Sequence, residues 1–210
     1  TCSGEDVVTY QGYDYDIVEI GDQCWFAENA RFLPAVSPVE LGSEDDSSPH
    51  AYVFNYEGSD VDEAKASAGY MNYGAYYNFW AIESWSICPE GWKVPSDGEW
   101  MLLEQELGMT SNSTNATGWR GDNQGSQLKS IDSWGVNNGL NSVGMNCLPH
   151  GGRISSPDSW VGQGIFGDYW TASTIDANQS WYRGLRDTQT GIYRFPNTRE
   201  RGLAVRCVKD

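Results

Sequence analysis

The stretch VPSDGEWMLLEQELG, residues 94–108, decides the fold class. Ser96 and Glu99 stand at capping-box spacing: the serine oxygen can accept from a first-turn amide while the glutamate reaches back to the serine's own amide. Trp100, Leu103 and Leu107 share one helical face, and Gly108 sits where a helix commonly ends in a left-handed residue. A capped helix is therefore predicted at mid-chain. Upstream, Tyr13, Tyr15, Ile17, Val18 and Ile20 follow a near-alternating pattern between turn residues Gly12 and Gly21-Asp22, which reads as a hairpin meander. Downstream, SWYRGLRD (180–187) and GIYRF (191–195) read as a hairpin, and GLAVRCVKD (202–210) as a final core strand. Strands, one capped helix, long loops and strands again amount to an α+β fold.

The intervening segments are less regular. Residues 34–68 carry Pro34, Pro38, Pro49, the run Glu44-Asp45-Asp46 and the acids Asp60, Asp62 and Glu63, and read as a long acidic surface excursion. NYGAYYNFWAIES (72–84) is too aromatic for a surface, and its periodicity fits a buried helix or a buried strand. Residues 110–168 are rich in Ser, Asn, Asp and Gly, show no sustained period, and are expected to be loops pinned by Trp119, Trp134 and Trp160.

At 210 residues the chain suits one domain spanning 1–210. Val, Ile, Leu and Phe supply only 38 residues, which with a net charge of -16 resembles the composition of disordered chains. Ten Trp and 12 Tyr reverse that reading, because each ring buries roughly 150–250 Å² and replaces the missing aliphatics. The charge argues against nucleic acid and against an anionic membrane face as partners. Residues 1–63 hold 15 acids and one base, Arg31, and the remainder is nearly neutral. Two readings of that acidic third stand: a solvated face, or a reservoir of cation ligands. Arg183, Arg186, Arg194, Arg199, Arg201 and Arg206 crowd the last 28 residues and are expected to neutralise the acidic third across neighbouring strands, with a carboxylate or sulfate clamp as the alternative.

No run approaches the ~20 apolar residues that span a bilayer, so membrane insertion is not expected. No leader pattern opens the chain, which reads as a mature or excised module. Five cysteines, Cys2, Cys24, Cys88, Cys147 and Cys207, suggest two disulfides and one free thiol in an exported protein. None has zinc-site spacing. There is no GxSxG, HExxH or P-loop, and Cys147 with His150 lacks an orienting partner, so no enzyme is expected.

Seven segments together carry a family resemblance: IGDQCWFAEN (20–29), YGAYYNFWA (73–81), CPEGWKVPSDGEW (88–100), GSQLKS (125–130) with Trp134, CLPHGGR (147–153), GDYWTAST (167–174) and GLAVRCVKD (202–210). In that order they resemble the Fibrobacter succinogenes major paralogous domain family over nearly the whole chain. Ala30, where the family usually has Leu, and Met145-Asn146-Cys147 are departures. The resemblance implies a C-type lectin-like fold, a Cys88–Cys207 disulfide joining helix to terminal strand, and a Cys2–Cys24 bridge pinning the hairpin, with Cys147 left as a buried thiol. It also implies the role of some members that look like modules of large bacterial RTX adhesins, which hold peptide C-terminal ends through bound Ca2+.

That role directs attention to oxygen donors in the loops. Asp122, Asn123, Asn138, Asn141, Asp158 and Asp168 are the expected Ca2+ ligands, although no EF-hand or RTX repeat is present and each also suits an ordinary turn. Trp160, Gln163, Tyr169, Trp181 and Arg183 are the expected ligand-binding residues, the rings forming a wall for a peptide or a stacking face for a sugar. The expected function is a non-catalytic, Ca2+-dependent binding module of a bacterial surface adhesin. It would act extracellularly as a monomeric module of a larger chain, with a carbohydrate-binding lectin as the alternative.

Overall fold

The computed structural model describes residues 2–42, 47–155 and 158–210, the side chains of Ser155 and Asp158 excepted. The acidic run Glu44-Asp45-Asp46 lies outside the described residues.

The chain opens with β1 (Val7–Tyr10), β2 (Tyr13–Ile20) and β3 (Gln23–Phe26), paired antiparallel. Gln11 and Gly12 both take positive φ, +52° and +75°, which is what a two-residue turn between right-twisted strands requires. The acidic excursion follows, with β4 (Ala51–Tyr52) and α1 (Val61–Ala66) inside it. The aromatic segment 72–84 contains both of the expected alternatives. The end of α2 (Ala68–Tyr73) leads into β5 (Tyr76–Tyr77), and Asn78 then caps α3 (Phe79–Ser84) by accepting from the Ala81 amide.

β6 (Trp92–Lys93) precedes the capped helix α4 (Asp97–Glu106). Its capping box is closed: Ser96 Oγ accepts from the Glu99 amide at 3.2 Å, and Glu99 Oε2 from the Ser96 amide at 2.8 Å. Gly108 follows the helix at φ +95°.

Residues 110–168 are more ordered than expected. They form α5 (Ser111–Asn115), β7 (Gly118–Arg120), α6 (Gln124–Leu128), β8 (His150–Ser155), β9 (Asp158–Gln163) and the start of β10 (Phe166–Thr174). These elements are short and depend on long-range pairing, so they leave no period in the sequence. Trp134 is buried as a pin, whereas Trp119 is 40% exposed. β11 (Gln179–Arg186) and β12 (Ile192–Thr198) complete the late hairpin. The final strand is only β13 (Val208–Lys209), because Gly202, Leu203 and Ala204 instead make single bridges to Arg153, Tyr77 and Tyr169.

Two larger sheets result, ordered β1-β2-β3-β13-β6 and β7-β12-β11-β10-β8-β9, with β4-β5 as a small third. The architecture is mixed and sheet-rich with few helices, compatible with α+β. Aromatic residues fill the interior as their number requires: Trp25, Trp100, Trp170, Tyr15, Tyr52, Tyr76, Tyr77 and Tyr169 are among the largest fully buried side chains. Disulfides join Cys2 to Cys24 and Cys88 to Cys207, and Cys147 is a buried free thiol. The longer bridge closes a loop of separation 119, worth about 4–5 kcal/mol in the chain-entropy account.

Among the described residues the C-terminal arginines pair with no acid of the acidic third, which Arg206 reaches only at Asn29 Oδ1 and the Phe26 carbonyl. Arg183 and Arg194 turn inward to Asp97 and Glu104 of α4, joined by Arg120 from β7. Arg120 holds both Glu104 oxygens, at 2.6 and 2.7 Å; Arg183 spans Glu104 Oε1 and Asp97 Oδ1, at 2.6 and 2.7 Å. Arg194 takes both Asp97 oxygens, at 2.9 and 2.7 Å. Burial opposes charge on Asp97, but Arg194 and Arg183 outweigh it and hold the carboxyl below its ordinary value. The buried face of α4 is thus ionic as well as apolar. A buried pair adds little net stability, yet each carboxylate here is needed once the guanidiniums are inside.

Candidate functional site

The candidate ligand site is a cleft of about 840 Å3 between the N-terminal hairpin and the segment 131–148. Asp6, Asp16 and Glu28 stand on one side, Asp132, Asn141 and Asn146 on the other. The hairpin wall follows from strand alternation: Tyr15 and Ile17 are buried, so Asp14 and Asp16 point outward. Tyr13 donates its hydroxyl to Glu28 Oε2 at 2.6 Å, and the Asp16 amide approaches Glu28 Oε1 at 3.3 Å, which fixes that carboxylate at the rim. Burial, then the hydrogen bond to Glu28, push the Tyr13 hydroxyl up to about 12, so it stays a neutral donor.

The opposite wall is a loop held by an internal cation. Lys129 is buried, and its ammonium donates to the carbonyls of Asn137, Arg186 and Gln189 at 3.2, 3.1 and 3.1 Å, above the Trp134 ring. Three donors thus meet three acceptors, and the loop is tied to the end of β11. Burial draws the Lys129 ammonium below its ordinary value, against the attraction of Asp187. Backbone bonds from Gly139 to Ser130 and from Asn141 to Lys129 complete the closure. Asn141 takes φ +44° and accepts the Asn146 amide at 2.7 Å, and Arg206 holds the Met145 carbonyl at 2.7 Å from inside. Three apolar groups stay outside on this loop while Trp134 and Met145 are buried: Ile131, Val136 and Leu140 are each more than 60% exposed, and Ile131 lines the cleft.

The residues expected to bind Ca2+ are dispersed. Asn141 lines the cleft. Asn138, on the same loop, spends its side-chain oxygen on the Trp134 amide. Asp122 and Asn123 are exposed in the turn before α6, where their amides share Gln124 Oε1 and Asn123 Oδ1 accepts from Gln127. Asp158 begins β9, its side chain outside the described residues. Asp168 is not a loop residue at all: it is buried within β10 and paired with Arg186 at 2.6 Å. Burial raises its carboxyl, only partly offset by Arg186. Among the described side chains, Asp122, Asn123, Asn138, Asn141 and Asp168 are not brought together as one coordination sphere. Among the described residues no group of three or more His, Cys, Asp or Glu side chains is placed to hold a metal.

The expected ligand-binding residues are likewise separate. Tyr169 is fully buried and Arg183 is 1% exposed inside the ionic cluster, so both are corrected to interior roles. Trp181 is covered by the Arg194 guanidinium 3.8 Å above its ring. Trp160 packs edgewise on Tyr76 and Phe54, and Gln163 donates to the His150 carbonyl. The acids of the cleft escaped sequence reading because their partners across it lie more than a hundred positions away. The outward set of β2 carried the available signal.

The model of the Fibrobacter succinogenes major domain matches residues 18–209. No curated protein and no solved structure matches the chain. Asp6, Tyr13 and Asp16 lie before the matched stretch.

Proposed function

The chain belongs to the Fibrobacter succinogenes major domain family, and on that premise we propose that it is a non-catalytic ligand-binding module, over residues 1–210, of a bacterial surface adhesin. The reading includes a C-type lectin-like arrangement, an extracellular setting and recognition of peptide C-terminal ends in the presence of Ca2+, as in RTX-type adhesins. Two disulfides are compatible with an extracellular protein, and no helix among the described residues is long and apolar enough to cross a membrane.

The observation that carries the reading is the cleft: four carboxylates around one opening beside exposed Ile131. Those carboxylates are spread round the opening rather than gathered at one point, so they attract cations by their summed field. The same field repels a bare peptide carboxylate, and recognition of a peptide end there is accordingly cation-dependent. Asp6, Asp16, Glu28 and Asp132 are the residues whose summed field would gather the cation at the opening beside Asn141, and the apolar loop edge would take the side chains of the peptide. The glycan alternative is the weaker one, since Tyr169 is interior and Trp181 is covered.

Calorimetry with short free-acid peptides and their C-terminally amidated twins, with Ca2+ and with chelator, tests this. Binding of the acid form in Ca2+ alone is expected. Equal binding of the amide, or binding unaffected by chelator, would overturn it.

A further inference from the structure

Residues 1–92 contain 17 acids and only two bases, Arg31 and Lys65, and the fold brings both bases to one pocket. That pocket, about 150 Å3, lies on the other flank of the hairpin from the acidic end of the cleft and is walled by Tyr10, Tyr13, Tyr15 and Tyr70. Its hydroxyls are engaged elsewhere. Tyr10 donates to the Ser86 carbonyl, Tyr13 to Glu28 and Tyr70 to the Arg31 carbonyl, while Tyr15 accepts from the Arg31 amide. The rings therefore offer the pocket their apolar surface, and the polar character comes from the two bases.

Arg31 is locked in place. Its side chain is 10% exposed, it donates to the Tyr70 and Met71 carbonyls at 2.6 and 3.1 Å and to Glu28 Oε2 at 3.5 Å, its counter-charge, and its guanidinium lies 4.4 Å over the Tyr13 ring. Its Nε makes no hydrogen bond, although Glu28 Oε2 stands 3.5 Å away. Lys65, in the last turn of α1, is exposed and has no ion-pair partner among the described residues. One fixed and one free cation thus flank an aromatic hollow. A cavity of roughly this volume takes a benzene-sized group.

We infer that the Arg31–Lys65 pocket is a ligand site for a small carboxylate bearing an apolar or aromatic tail, and that it works without a metal. The tail fills the tyrosine walls, and the carboxylate meets Lys65 at the mouth with Arg31 behind it. The pocket shares Tyr13 with the cleft, and its Arg31 pairs with Glu28 of the cleft rim; its other residues and its charge logic differ.

Titration with phenylacetate, with phenylacetamide as control, in chelator and about 0.15 M salt to screen the overall charge, tests it by NMR and calorimetry. Phenylacetate is expected to shift the Tyr13 and Tyr70 ring resonances and the amide to leave them in place. Lys65→Met should weaken binding about fivefold, as loss of one partly exposed charge pair does, and Lys65→Arg should restore it. Equal binding of phenylacetamide, no binding of phenylacetate, or an unchanged affinity in Lys65→Met would each overturn the inference. Because chelator is present throughout, failure here leaves the Ca2+-dependent reading of the cleft untouched, and the converse holds.

Discussion

The charges of α4 and the charges of the N-terminal hairpin are used in opposite ways. Asp97 and Glu104 are interior, each held by two arginines arriving from distant strands. Asp6, Asp14 and Asp16 are exterior, and the arginine-rich end of the chain never reaches them. The net charge of -16 is therefore not a single property. Where acids and bases balance, the balance is consumed in holding the helix to the six-stranded sheet; where they do not, the excess faces solvent and lines a cleft. An acid's neighbours in space, rather than its share of the total, decide which use it serves.

The contrast fails first if the interior acids prove dispensable. Glu104→Gln leaves Arg120 and Arg183 short of a buried counter-charge and should cost about 3–5 kcal/mol in denaturant unfolding. A loss below about 1 kcal/mol would mean that the cluster is solvated. Lys129→Met should cost about 1–3 kcal/mol, because three part-buried carbonyls lose their shared donor, and should loosen the cleft's loop wall, read by hydrogen exchange at Gly139 and Asn141.

A third probe is pH. His150 is fully buried, and burial, followed by the Arg206 charge, lowers its pKa to about 3. The unfolded chain takes up this proton near 6.5, so the unfolded state binds more protons between those limits. Stability is whole above about pH 6.5 and falls by about 1.4 kcal/mol per pH unit as pH drops toward 3. His150→Gln should flatten that slope between pH 6.5 and 5. The smallest effect on stability belongs to the exterior: Asp6→Asn with Asp16→Asn should change it by no more than about 0.5 kcal/mol. The same pair should nevertheless weaken Ca2+-dependent peptide binding about fivefold, measured by calorimetry, and thereby separate the two uses of charge.

What was legible in the sequence was local. Ser96, Glu99 and Gly108 announce α4, because capping is a matter of neighbours within one turn. Gly12 and Gly21 announce the hairpins, and the alternation of β2 tells which acids face out. What escaped was non-local. Asp97 and Glu104 read as ordinary polar positions of a helix until strands between 16 and 97 residues away deliver their arginines. Lys129 reads as a surface lysine until three carbonyls surround it. Asp168 stands in a loop-like, Gly-rich context, yet β11 opposite it supplies Gly184 and Arg186, the space and the charge that bury it. Of the cleft's lining, only Asn141 was among the expected ion ligands, since the walls meet through tertiary contact.

The two disulfides also determine how tension would travel through the molecule. A pull applied at Cys2 and Cys207 crosses the first bridge to Cys24, follows the chain to Cys88 and crosses the second bridge. Only the stretch between Cys24 and Cys88 can lengthen while both bridges last. The six-stranded sheet, the ionic cluster and the Lys129 loop all lie within the sealed loop and bear no load along their strands. The acid-walled cleft has one wall in each sealed loop, so each wall would keep its own shape while the two separate as the stretch between them lengthens. The Arg31–Lys65 pocket, with both cations on that stretch, would be drawn apart by the same extension, so that a force reaching this module would act on both sites.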